Sequence, residues 1–516
     1  MIRSLNYLRA LLRQRPAFWF IYQPSPVAFL SHRHYNKNIL YHSGKTLLVF
    51  AGFSEKRGNI LSQSSVNDFS VGSVRRSIVR MAIPITLAQF INILYNIVDR
   101  MYIGHIEGAG ALALTGLGLC LPVISAVMAF ARLSGMGGAP LCSIERGKGN
   151  IEEAEQIMGN SFTLLLIFAV VLTVLGEIFL RPLLYAFGAS ANTIGYAMDY
   201  ARIYLAGNIF VLISLGMNSF LNAQGFAHTG MVTTLLGAVA NILLDPLFIF
   251  VFNWGVQGAA LATVISQALS AFWVLKVLTG KRAILRLRLQ CLKLQWTRVR
   301  RILALGFSGF VMALTNSVVQ VVCNSVLSVF GGDLYVGVMT VINSIREIVS
   351  MPVQGITNAA EPVLGFNYGA GKPKRVRQGI VFISLCAAGY SLLVWVLVRC
   401  IPDTLIQIFN DDPDLVATGI PALRLYFCAF FMMALQFAGQ STFVALGKSK
   451  QAIFFSIFRK VIIVVPLTLW LPYVGTLGAS GVFWAEAISN VIGGLSCFIT
   501  MLLTVYRPLG KDLSSS

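Results

Sequence analysis

Charge is scarce in this chain. Only 12% of its 516 residues are Asp, Glu, Lys or Arg, and only 20 are acids. A soluble globular protein carries about 25% charged residues, so half that amount cannot clothe a water-facing surface. Cysteine is sparse as well. Eight are scattered singly with no CxxC pair, which excludes a disulfide framework and a zinc site of paired-cysteine spacing. Five histidines show no ligand spacing; His105 and His228 sit in polar breaks and read as surface residues. No GxxxxGK[ST] loop occurs, so direct ATP use is not expected. No Ser/His/Asp arrangement lies within the apolar stretches, so the chain does not read as an enzyme. What is abundant is apolar surface. Hydrophobic residues make up 56% of the chain, and the mean hydropathy is +0.74. An integral membrane protein remains.

The first 80 residues stand apart. They hold twelve Lys or Arg and two acids, Glu55 and Asp68, and so half of the net charge of +20. No apolar run there reaches the roughly 18–20 residues that span a bilayer. Residues 1–74 are read as a basic N-terminal extension, either disordered or not part of the native chain, since Pro, His, Asn and Ser interrupt any amphipathic period.

Long apolar stretches then alternate with short polar breaks. Spans are expected near 79–104, 110–132, 158–181, 194–223, 231–252 and 256–279, and, after a basic linker at 281–300, near 301–329, 335–364, 379–401, 415–446, 452–473 and 478–505. Lengths of about 20–30 residues suit tilted helices; a β-barrel would show ten-residue alternating segments. The expected class is therefore all-α integral membrane, with an N-terminal lobe at 75–280, a C-terminal lobe at 301–505 and a tail at 506–516. Basic breaks fall at every second position. The linker carries Lys281, Arg282, Arg286, Arg288, Lys293, Arg298 and Arg300, while the break at 403–414 carries Asp403, Asp411, Asp412 and Asp414. Counting Lys and Arg alone places the linker and both termini in the cytoplasm. Without interleaved aromatics beyond Trp296, the linker does not read as a nucleic-acid surface.

The sequence repeats. At an offset of 222, Ala82 meets Ala304, Pro140 meets Pro362, Gly147 and Gly149 meet Gly369 and Gly371, Arg202 and Tyr204 meet Arg424 and Tyr426, and Gly225 meets Gly447. Near the ends of the halves the offset becomes 220, pairing Pro246 with Pro466. Six spans per half return the chain to its starting side. The halves are thus parallel repeats about an axis along the membrane normal: twelve transmembrane helices in two six-helix bundles facing a central cleft.

Within this repeated scaffold one polar set occurs once. Gln89, Asn92, Asn96 and Asp99 share a face of span 1, and Pro84 should bend that helix. Asn241 and Asp245 share a face of span 5, where Pro246 frees backbone carbonyls; Thr263 lies in span 6. The positions matching Asn241, Asp245 and Thr263 are Val461, Val465 and Phe483, and that matching Asp99 is Val321. Intramembrane carboxylates are expensive and point to function. Interhelical hydrogen bonding or turn capping would account for each polar residue singly; an unrepeated cluster is harder to explain so. The second half has its own stripe, Asn316, Gln320 and Asn324, without an acid. Arg459 and Lys460 are expected to snorkel to the interface, and Glu177 and Glu361 to sit near water at span ends.

These stretches together resemble the MATE (multidrug and toxic compound extrusion) family: Pro84 followed by Asn96-Ile-Val-Asp99, Asn241-Ile-Leu-Leu-Asp245-Pro246, Gly255-Val-Gln-Gly-Ala-Ala and Gly365-Phe-Asn-Tyr-Gly-Ala-Gly371. The resemblance covers about 75–505. It implies export of organic, often cationic, small molecules in exchange for H⁺ or Na⁺ by alternating access, with no cofactor beyond that coupling ion. It further implies a cation site at Asp99, Asn241, Asp245 and Thr263, and a helix-1 hinge at Pro84. Gln89, Asn92, Asn96, Asn316 and Gln320 are the candidates for the substrate cleft. A monomer in a plasma membrane, of bacterial inner-membrane type, is expected. Two features depart from the pattern: Arg100 follows Asp99, and spans 7 and 10 lack the carboxylates one subfamily uses in its second lobe. The alternative reading, a flippase or exporter of lipid-linked or polyanionic compounds on a similar scaffold, would need a strongly basic cleft.

Overall fold

A computed structural model describes residues 67–106, 110–409 and 412–511. The expectation for 1–66 lies outside the described residues. Nine helices among the described residues are long and apolar enough to cross a membrane. One of them, Trp296–Gly369, is two helices joined at Gly332, whose φ of 66° breaks the helical path. Two further spans are each a bent pair: Ile194–Ala206 with Asn208–Ala223, at 56°, and Pro413–Tyr426 with Phe430–Ala445, at 48°. Twelve spans result. They are numbered here α1 (Val74–Gly104), α2 (Gly110–Gly147), α3 (Ile151–Ala186), α4 (the first bent pair), α5 (Ala227–Val251), α6 (Gly255–Thr279), α7 (296–331), α8 (333–369), α9 (Pro373–Cys400), α10 (the second bent pair), α11 (Ser449–Tyr473) and α12 (Ser480–Gly510).

The first lobe is α1–α6 and the second α7–α12, each around its own apolar core. A third apolar cluster joins the first turns of α1 to α8, α9 and the tail of α12, so α1 starts against the second lobe before entering the first. The repeat is visible in backbone geometry: the paired turn glycines Gly149 and Gly371 have φ of 83° and 63°, values a side chain disfavours. Prolines mark both repeats too. Pro246 lacks the N–H that would bond one turn back, and the helix widens into a π-turn over Leu247–Val251. In α11 the corresponding widening, Phe458–Val464, lies just ahead of Pro466.

Several boundaries differ from expectation. α2 runs on to Gly147, well past 132, because Arg132 projects from the helix instead of ending it. Ahead of the expected start at 75, residues 67–73 pack on the helices. Phe69 is buried against Phe366, ring centroids 5.8 Å apart. Arg375 of α9 donates to the carbonyls of Phe69 (2.9 Å) and Gly72 (2.8 Å), and Asn367 of α8 donates to Phe69 O at 3.0 Å. Arg146 of α2 donates to Asn67 O and lies over the rings of Phe69 and Phe366. Residues 67–73 therefore form a strap between the lobes.

The interlobe linker is no loose tether. Asn160 of α3 donates to the carbonyls of Cys291 (3.3 Å) and Lys293 (3.2 Å) and accepts from Gln295 N at 2.8 Å. Arg288 pairs with Glu155 at 3.2 Å, Arg298 with Glu153 at 2.6 Å and Arg301 with Glu145 at 3.1 Å. Part of the basic charge that reads as a topology signal thus also clamps the linker to the first lobe.

Candidate functional site

Four side chains from three helices converge in the first lobe. Asn241 donates its amide to Asp245 Oδ1 at 3.0 Å, as residues i and i+4 on one face of α5 must be able to do. The same amide reaches Thr263 Oγ1 of α6 at 3.4 Å. Asp99 of α1 brings its carboxyl within hydrogen-bonding reach of Asp245. All four are buried, with exposures of 7% for Asp99, 2% for Asn241, 0% for Asp245 and 8% for Thr263.

The site is short of donors. Asp99 Oδ1, Asn241 Oδ1 and Asp245 Oδ2 are buried and accept no hydrogen bond. Buried polar atoms are normally paired, and a bare buried carboxylate is costly. Three unmatched acceptor oxygens around two touching carboxyls form a pocket that a shared proton or a small hard cation would complete, since both are recognised by oxygen alone. Tyr200 of α4, which is buried, comes near Thr263, and Tyr95 lies one turn before Asp99 on the same face of α1. Neither tyrosine stood out in the sequence, where a tyrosine in an apolar span has no distinguishing signal.

A second feature lies nearer the end that carries the termini. There a cavity of about 300 Å³ opens between α1, α2, α4, α5 and α8. Gln89 and Asn92 line it. Asn96 does not; its amide turns back to Asn92 O at 2.7 Å. Asn316 and Gln320 are also absent from its wall. They follow Thr315 and Val319, two members of the buried stripe of α7, and one residue's rotation of about 100° carries them to an exposed face. The charged residues among the cavity lining are Arg132 of α2 and Glu361 of α8. Glu361 is thus a wall of the cavity, not a residue at a span end. One cation facing one acid is not the strongly basic wall that a lipid-linked or polyanionic cargo requires.

The second lobe holds a charge cluster instead of a matching acid pair. Glu486 of α12 is buried and accepts from Arg459 and, at 3.2 Å, from Lys460. These basic residues therefore point inward and do not snorkel. The stem of Arg459 lies across Gly493, where a side chain would collide with it.

The MatE family profile matches residues 84–247 and 309–470, once in each lobe. The chain belongs to this family. It is a multi-pass membrane transporter of the MATE type and not an enzyme. Among curated relatives, a multidrug export protein MepA of Staphylococcus haemolyticus is 22% identical over 438 residues, covering 85% of this chain and 94% of the relative. A probable multidrug resistance protein NorM of Thermotoga maritima is 26% identical over 372 residues, covering 70% and 78%. Among solved structures, one described as the outward-facing conformation of a multidrug resistance MATE family transporter of the MOP superfamily superposes with a TM-score of 0.80 at 24% identity, over 86% of this chain and 98% of that one.

Proposed function

We propose that this MATE transporter exports small organic compounds, cations among them, across the plasma membrane by antiport with H⁺ or Na⁺, as a monomer. The observation that carries this reading is the set of unmatched acceptor oxygens at Asp99, Asn241 and Asp245, buried at one point beside Thr263. In this reading the coupling ion binds there. Its arrival neutralises charge that is costly to bury bare. Asp99 and the cavity residues Gln89 and Asn92 share α1, and Pro84 lies in the same helix. A bend of α1 at Pro84 would then change the cavity when the ion changes. Coupling requires each ligand to favour one arrangement over the other.

The Lys and Arg bias of the breaks puts both termini in the cytoplasm. In this reading the end where Gly147 of α2 meets Gly369 of α8 is the cytoplasmic one. The test is efflux of an organic-cation dye from cells, with external Na⁺ and pH varied independently. Dye retention that responds to either gradient supports antiport. Efflux that follows ATP level alone and neither gradient would overturn it.

A further inference from the structure

Arg132 and Glu361 line the same cavity and belong to different lobes, and neither has a hydrogen-bond or ion-pair partner among the described residues; Arg132 belongs to α2 and Glu361 to α8. By helix rise, Arg132 lies about 22 Å from the end of α2 and Glu361 about 12 Å from the end of α8, so both sit at depths where an ionised group is expensive. Opposite charges in one cavity usually pair with each other; these are left apart. The remaining polar wall is rich in groups that serve either sign of charge, among them Gln89, Asn222 and Asn358. Met136, Met231 and Leu215 supply apolar, deformable surface.

The geometry points to an amphoteric substrate: an organic body carrying one anionic and one cationic group, the anion held by the guanidinium of Arg132 and the cation by the carboxylate of Glu361. This rests on the efflux reading above and specifies its cargo. A cavity shaped for simple cations would hold acid without a compensating base, and one for polyanions the reverse. Here one basic and one acidic side chain line the same space, and neither is committed to a partner among the described residues. The two charges sit on different lobes, so such a substrate bridges the lobes and is held best only while they are close. Opening the cleft would pull the two anchors apart, giving the cargo the state-dependent affinity that alternating access needs.

The experiment uses the full chain in detergent and in liposomes with one dye in two forms: a rhodamine free acid, which is zwitterionic, and its methyl ester, which keeps only the cation. The wild type should bind the free acid about tenfold more tightly than the ester, the scale of one charge-assisted contact. Arg132→Gln should abolish that preference by weakening the free acid alone. Arg132→Lys should retain most of it, which separates lost charge from a damaged fold. Glu361→Gln should weaken both forms by similar factors. Equal affinity of the wild type for both forms would overturn the inference, as would an Arg132→Gln variant that loses both forms equally while Arg132→Lys does the same. Gradient-driven export of the ester distinguishes the two levels: if it proceeds while the preference is missing, the cargo assignment fails and the efflux reading stands. If neither form is exported, the efflux reading fails.

Discussion

Gly147 of α2 and Gly369 of α8 occupy the same place in the two repeats, and each lies against the other lobe's backbone: Gly147 on the carbonyl of Phe366, Gly369 on the carbonyl of Ile144. The same offset of 222 relates both contacts, so the crossing is two-fold about the axis between the lobes. A side chain at either position has no room unless the helices separate. Gly147→Val or Gly369→Val should therefore hold this end ajar. Dye export should fall at least about tenfold, and the double variant should be little worse than either single one, because both act on one contact. Near-normal export by the single variants would show that the crossing is not part of the transport cycle.

The strap at 67–73 makes a stability prediction. Phe69 is buried between the lobes, and truncating a buried phenylalanine costs about 3–5 kcal/mol. Phe69→Ala should lower the melting temperature of the purified protein clearly, and Phe69→Leu much less. No shift for Phe69→Ala would mean that the strap does not contribute to the fold.

Asn160 satisfies linker backbone on both sides of its amide. Asn160→Ala leaves several buried groups unpaired at about 1–3 kcal/mol each. The expected result is early proteolytic cleavage within 281–295, ahead of global unfolding. An unchanged cleavage pattern would contradict the clamp.

Breaking the Glu486 cluster differs from deleting it. Glu486→Gln strands two basic side chains, a loss of about 3–5 kcal/mol. Replacing Arg459, Lys460 and Glu486 together by Met and Leu should recover most of that loss, since a buried ion cluster adds little over apolar packing. Thermal melts of the single and triple variants decide the matter. A triple variant less stable than Glu486→Gln would show that the cluster stabilises the lobe outright.

Much of the fold was legible because bilayer spans announce themselves as apolar runs and because the chain repeats. The quartet at Asp99, Asn241, Asp245 and Thr263 stood out for a related reason: its polarity is missing from the matching positions of the second repeat. What the sequence hid was rotation and distance. Arg459 and Lys460 look like snorkelling residues until the face of α11 that meets α12 is known. Asn316 and Gln320 miss the cavity through the phase of α7 alone. The expected span at 110–132 stops at Arg132, although a lone arginine in an otherwise apolar helix is itself the signal for a cavity-facing charge. The linker reads as an unbalanced basic segment because its partner acids are far away in sequence, 145 positions in the case of Arg298 and Glu153.

The most direct test of the ion site is dye uptake into inverted vesicles driven by an imposed H⁺ or Na⁺ gradient, compared for the wild type, Asp99→Asn and Asp245→Asn. Each substitution keeps the side-chain shape and removes a carboxylate from the cluster. Gradient-driven uptake should collapse in both variants while the dye still binds. Uptake that follows the gradient as well as in the wild type, in both variants, would contradict the assignment of these residues as the site where the coupling ion is exchanged.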